Sequence, residues 1–168
     1  EWVGVGGDAA EMQALSNVGS GAAVNYESGV LTLSYDTLKG EASVVAKANG
    51  NTLSRVDQII DWVGPDFDGV VVFDEAHLMA NSLDTGTGNQ AKGASMRALA
   101  GVDLQQRLPN ARFVYLSATA ATEVRNLAYA ERLGLWGPET SFATKHAFIN
   151  EIEAGGVAAM EKVAADMK

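Results

Sequence analysis

The stretch Gly69-Val70-Val71-Val72-Phe73-Asp74-Glu75-Ala76-His77 constrains the fold more than any other part of the chain. Four apolar residues run without alternation into two adjacent carboxylates, and Asp68-Gly69 bounds them on the other side. A strand that is apolar at consecutive positions has both faces covered, the condition of an inner strand in a parallel sheet. Open α/β sheets bind ligands at the carboxyl ends of their strands. Asp74 and Glu75 therefore fall where a metal ion and a phosphate chain would be held. A buried strand ending in solvated acids has the same local sequence, so the rest of the chain must decide between the two.

Upstream, Val30-Leu31-Thr32-Leu33-Ser34-Tyr35 is a β-branched and apolar strand, and Asp36 to Gly40 lead out of it. Residues 41 to 51 are small and polar and end in the turn signal Asn49-Gly50-Asn51. Leu53, Val56, Ile59, Ile60 and Val63 then recur at helical spacing, with Ser54 or Thr52 to cap the helix and Gly64-Pro65 to stop it. Strand, helix, strand is a βαβ unit, which makes the sheet parallel. Downstream, Met96, Leu99, Leu104 and Leu108 predict a helix over 94–108, ended by Pro109-Asn110. Arg112-Phe113-Val114-Tyr115-Leu116 is a further strand, with Ser117-Ala118-Thr119 at its carboxyl end. A helix capped by Thr122 carries Val124, Leu127, Ala128 and Glu131 and stops at Gly134; two more, over 145–153 and 156–168, close the chain. In the last, Val157, Met160, Val163, Ala164 and Met167 form an apolar stripe. The expected class is α/β: a mainly parallel sheet flanked by helices. Residues 1–29 form a Gly-rich lead-in of loop and short helix, 30–137 the core, and 138–168 a helical extension.

With 168 residues and 47% hydrophobic content, the chain is one domain or a piece of a larger one. Its opening on Glu1-Trp2, without a basic stretch or initiator Met, suggests a piece of a longer protein. There is no cysteine, hence no disulfide and no thiolate metal site, and a cytoplasmic location is expected. No apolar run approaches the ~18 residues of a membrane span, so no membrane partner is expected. The net charge of −9 argues against a surface that grips nucleic acid throughout, because phosphate binding rests on Lys and Arg; any such contact is local or made by other parts of the protein.

Adjacent residues leaving a strand point in different directions. Asp74 and Glu75 are thus poorly placed as facing acids across a sugar bond, but they suit two separate tasks in phosphoryl transfer. One carboxylate can hold Mg²⁺ through water, and the other can orient or deprotonate an attacking water. A zinc-protease reading fails, because no second histidine lies four residues from His77. His146 stands alone at a helix start and reads as a surface residue. Ser117 and Thr119 bracket an alanine just after a strand, a pattern shared with helix-capping turns. The pairing carries more than either part: the acids and the hydroxyls lie one strand–helix–strand step apart, at one sheet edge. The phosphate-loop pattern Gly-x-x-x-x-Gly-Lys-Ser/Thr does not occur. Gly4, Gly6 and Gly7 lack its lysine, and in Gly88-Asn89-Gln90-Ala91-Lys92-Gly93 the lysine precedes the second glycine with no strand to feed it.

Val72-Phe73-Asp74-Glu75-Ala76-His77 resembles the Walker B motif of superfamily 2 helicase-like ATPases, and Tyr115-Leu116-Ser117-Ala118-Thr119 resembles their Ser-Ala-Thr motif. Gly29 to Leu38 resembles the Thr-Tyr-x-x-Leu strand of the strawberry notch family, with Ser34 in place of Thr. The segments Asn126 to Gly137 and Gly155 to Glu161 are similar to the same family, especially its bacterial and phage-type members. The resemblance implies a partial RecA-like, three-layer lobe of a larger two-lobed ATPase, in a bacterial or phage-infected cell. It implies that Asp74 holds Mg²⁺ through water, that Glu75 activates the hydrolytic water, and that His77 couples the nucleotide site to the second lobe. Ser117, Ala118 and Thr119 would link hydrolysis to lobe movement. Ser34, Tyr35 and Thr37 sit where related motors contact the nucleic-acid backbone, DNA or RNA.

The departure from the family pattern is the Walker A loop, which lies N-terminal to these motifs and supplies the cradle for β- and γ-phosphates. Without it and the second lobe, Mg²⁺ and ATP belong to the parent protein, and this chain alone is expected to be inactive and to bind neither tightly. Two further readings remain at this point: an ATPase-derived scaffold for protein interaction or transcriptional coregulation, and a stand-alone α/β binding module.

Overall fold

The structure is a computed structural model that describes residues 3–6, 12–80, 94–118 and 124–166. Among them five strands form one sheet: β1 (Val3–Gly6), β2 (Met12–Ala14), β3 (Val30–Leu33), β4 (Val70–Phe73) and β5 (Arg112–Tyr115), in the order β2-β3-β1-β4-β5. The helices are α1 (Tyr35–Leu38), α2 (Val44–Ala48), α3 (Arg55–Val63), α4 (Met96–Arg107) and α5 (Lys145–Asp166).

The β4–α4–β5 unit has the parallel pairing expected of it, with Val70 opposite Arg112 and Phe73 opposite Tyr115. The β3–α3–β4 unit differs in one respect. Its strands run the same way but are not neighbours, because β1 lies between them, antiparallel to both. The expectation of a loop and short helix in residues 1–29 is corrected accordingly. Residues 3–6 are an inner strand, 12–14 pair in parallel with β3, and the helical part is one 3-10 turn at Leu15–Asn17. Val3 faces both Leu33 and Phe73, so the carboxyl ends of β3 and β4 are level across the sheet. With β5 parallel to β4, three strand ends share one rim.

Side chains on one face of the sheet (Leu31, Leu33, Val71 and Phe73) join Val56, Ile59, Ala98, Leu104 and Leu108 in the main core. On the other face Val70, Val114 and Leu116 are 41%, 39% and 48% exposed. The described residues thus supply one helical layer of the three-layer arrangement. A second cluster gathers Ala128, Leu135, Phe142, Phe148, Ile149, Ile152 and Ala159.

Local signals place most boundaries. Ser54 caps α3 through a reciprocal box with Asp57, and Gly64, at φ 81°, ends it. Ser95 caps α4, whose buried residues are Ala98, Gly101, Leu104 and Gln105, so Met96 and Leu99 of the expected apolar face are exposed instead. Gly156, at φ 52° and ψ −127°, breaks α5 where two separate helices are expected. Where one helix through Val124 to Glu131 is expected, the chain forms a 3-10 turn over Val124–Leu127 and then turns; Thr122 lies outside the described residues.

Candidate active site

The rim is built where β4 and β5 end. Their ladder continues past both strands: the Leu116 N–H donates to the Phe73 carbonyl at 2.9 Å, and the Ala76 N–H to the Leu116 carbonyl at 2.8 Å. These two bonds fasten the Asp-Glu-Ala-His segment to the start of Ser-Ala-Thr. Between them the backbone turns sharply. Glu75 has φ 49° and ψ 47°, and it is the sole non-glycine residue with positive φ among the described residues. A left-handed conformation costs a side-chain-bearing residue about 1–2 kcal/mol, and such strain persists where the surroundings over-determine it. A 3-10 turn over Ala76–Met79 follows, with Ala76 and Met79 fully buried.

The side chains converge. His77 Nδ1 lies 3.0 Å from Ser117 Oγ and 3.2 Å from Glu75 Oε2. The ring nitrogen is aligned with the serine, not with the acid: Glu75 Oε2 is buried and has no hydrogen-bond partner. Asp74 Oδ1 accepts the Glu75 N–H at 3.1 Å, and the Asp74 carbonyl accepts the Tyr35 hydroxyl at 2.8 Å. Buried polar atoms are nearly always bonded to protein or ordered water; here the nearest charge partner of the buried Glu75 oxygen is the His77 ring at 3.2 Å, and the Glu75 side chain as a whole is 36% exposed at the rim.

The acids fit a magnesium–phosphate ligand. Mg²⁺ prefers oxygen donors, keeps several waters, and is held by one or two carboxylates together with substrate phosphates. Asp74 and Glu75 offer carboxylate oxygens at a sheet edge, and no denser cluster is required. None with three or more metal-ligating residues exists among the described residues, and His146 is exposed on α5.

The other expected site residues divide. Ser34 is exposed and caps α1, its hydroxyl accepting the Thr37 N–H and lying 3.1 Å from Thr37 Oγ1. Tyr35 stands apart from this pair: it is 2% exposed, stacks on Phe73 at 6.3 Å, and turns its hydroxyl inward. Ala118 is exposed beside Ser117, and Thr119 lies outside the described residues, as do residues 81–93. Sequence reasoning missed Gln105. It is fully buried on α4, donates to the carbonyls of Gly101 and Tyr129, and accepts the Tyr115 hydroxyl. Desolvation raises the Tyr115 pKa, keeping the phenol a donor. Only its position on the buried face of α4 could have singled out this glutamine.

The family of P-loop containing NTP hydrolase pore-1 domains matches residues 1–168, the full length of the chain. The chain is 44% identical to human protein strawberry notch homolog 1 over 144 residues, 86% of this chain and 10% of that protein. It is 45% identical to mouse strawberry notch homolog 2 over 157 residues, 94% of this chain and 10% of that protein. It is 41% identical to Arabidopsis thaliana protein FORGETTER 1 over 145 residues, again 10% of that protein. The chain therefore spans about a tenth of the length of these relatives. No solved structure matches it. A full-length match, on a chain whose paired acids stand at the carboxyl rim of an α/β sheet, identifies this protein as a member of the P-loop containing NTP hydrolase family.

Proposed function

We propose that this chain is the acid-bearing part of an ATP-driven, nucleic-acid-linked motor of the helicase-like kind, with the phosphate cradle and a second lobe contributed by other parts of the protein. The observation that carries the reading is the junction of the two motifs. Ala76 is bonded to Leu116, and His77 touches Ser117 at the rim that holds Asp74 and Glu75.

In this reading Asp74 holds Mg²⁺ through water. The metal would neutralise charge on the phosphates. The Glu75 carboxylate, on a side chain that is 36% exposed, accepts a hydrogen bond from the attacking water and takes its proton. His77 keeps Nδ1 on Ser117, so that a shift of the Ser-Ala-Thr segment is felt one residue from the Glu75–Ala76 peptide. Ala118 and Thr119 extend that segment toward the second lobe. Ser34 and Thr37, level with the acids on the next strand end, face the nucleic-acid track.

The test is made in the full-length protein. Glu75→Gln keeps the shape and removes the base, and turnover should fall by about 10² or more, with nucleotide affinity retained. Unchanged turnover removes Glu75 from the chemistry. For the isolated chain, calorimetric titration with Mg-ATP should give no affinity tighter than about millimolar, about −4 kcal/mol, because the phosphate cradle is lacking. A micromolar affinity would show that the chain binds nucleotide without it.

A further inference from the structure

We propose that Tyr35 is a positioning residue for Glu75, an inference that rests on the hydrolytic reading of Glu75 given above. Glu75 sits between two peptide planes, and the structure shows what holds each. The plane before it carries the Asp74 carbonyl, which accepts the Tyr35 hydroxyl at 2.8 Å. The plane after it carries the Ala76 N–H, which is bonded to the Leu116 carbonyl at 2.8 Å. Fixing the planes on both sides of a residue fixes its φ and ψ, and here they are fixed in a left-handed conformation that a glutamate does not adopt by preference.

One anchor belongs to the β5 motif; the other comes from α1, 39 residues earlier in the chain. Tyr35 is itself immobilised. It is 2% exposed, its ring stacks on Phe73, and Ser34 caps the helix it starts. The hydroxyl is thus a rigid donor. Its removal leaves the Asp74–Glu75 peptide held only by the longer bond from the Glu75 N–H to Asp74 Oδ1, and relaxation toward an ordinary backbone conformation swings the Glu75 carboxylate away from the rim. Misplacing a reacting group by a fraction of an ångström lowers rate without lowering substrate affinity.

The alternative is that the hydroxyl only satisfies a buried carbonyl and stabilises the fold. Two variants of the full-length protein separate the cases. Tyr35→Phe keeps the ring and its stacking on Phe73 and removes the hydrogen bond. Leu108→Ala opens a cavity in the same core at the end of α4 that leads into β5, opposite the rim, and leaves Tyr35, Phe73 and the hydrogen bond in place. Tyr35→Phe should lower the kcat of ATP hydrolysis by about 3- to 10-fold, the worth of one hydrogen bond, with KM for ATP unchanged. Leu108→Ala should lower Tm by at least as much as Tyr35→Phe, with kcat within about twofold of the parent when measured well below Tm.

A Tyr35→Phe kcat within twofold of the parent overturns the inference. So does a kcat loss in Leu108→Ala equal to that in Tyr35→Phe, because the loss would then follow stability. Glu75→Gln, measured alongside, distinguishes the two levels. If it abolishes turnover and Tyr35→Phe does not lower it, the inference fails and the active-site reading stands. If Glu75→Gln leaves turnover intact, the active-site reading fails and takes the inference with it.

Discussion

At the scale of single residues, the molecule places unusual demands on a few side chains, and each can be read out separately. Gln105 is the polar hub of the main core. Gln105→Leu keeps the volume but leaves the Tyr129 carbonyl without its buried partner; the Tyr115 hydroxyl loses its acceptor and still accepts the Arg132 N–H. Leaving a buried polar group unpaired costs about 1–3 kcal/mol, so the substitution should lower stability by about that much, measured as a fall in the urea midpoint. Glu75 pulls the other way. Asparagine tolerates the left-handed region better than glutamate does, so Glu75→Asn should raise the urea midpoint slightly while abolishing hydrolysis in the full-length protein. A lower midpoint would mean that the left-handed turn is not strained. The acid pair and the hydroxyls were legible because they are chemical identities in a row, and identities are what a sequence contains. Glu75's backbone angle and the burial of Tyr35 were not, since both are set by residues far away in the chain. Tyr35 reads as the end of a strand until Ser34 is seen to cap a helix behind it.

Elements were legible in proportion to how local their causes are. The helix over Arg55–Val63 was legible from its apolar spacing, with Ser54 to cap it and Gly64 to stop it, and Met96–Arg107 from its apolar spacing before Pro109; the Asp57 side of the first cap and the Ser95 cap of the second emerge only in the structure. Strand β1 was missed because Val3-Gly4-Val5-Gly6 has no intrinsic pull toward a strand; it exists by pairing with β3 and β4 on either side. The cap of α3 makes a testable pair. The Ser54 amide and hydroxyl both donate to Asp57 Oδ2, and the Asp57 N–H donates back. Ser54→Ala should cost about 1 kcal/mol, measured by urea unfolding. The hydrogen bond from the Ser54 side chain, followed by that from Arg107, holds the Asp57 pKa below its ordinary value. A carboxyl depressed in the folded state contributes stability above its unfolded pKa of about 3.9, and that stability is lost as pH falls through the lower folded value. Ser54→Ala should therefore flatten the acid limb of the stability profile below about pH 4. The effect is modest, because the Asp57 side chain is 37% exposed.

Among the described residues the molecule has two apolar centres and one sheet face with exposed apolar side chains. The main core takes Trp62 against its edge, where the indole N–H donates to the Tyr26 carbonyl at 2.7 Å. The second cluster takes Trp136, tilted on Phe148 and under the Lys145 ammonium. Tyr129, Gln105 and the 3-10 turn at Val124–Leu127 join the two. If the second cluster is a separate cooperative unit, fluorescence of a Trp2→Phe/Trp62→Phe variant, which retains only Trp136, should report an earlier urea midpoint than a Trp2→Phe/Trp136→Phe variant, which retains only Trp62. Coincident midpoints would make the chain one unit. The open face carries the exposed Val70 at the start of β4, and Val114 and Leu116 toward and just past the end of β5. Its consequence lies in how copies of the isolated chain treat each other in solution. Like-charged molecules at −9 should repel, yet light scattering in moderate salt, where that repulsion is screened, should give a negative second virial coefficient. Leu116→Lys should turn it positive, as hydration of a lysine replaces a wet leucine at the sheet's margin.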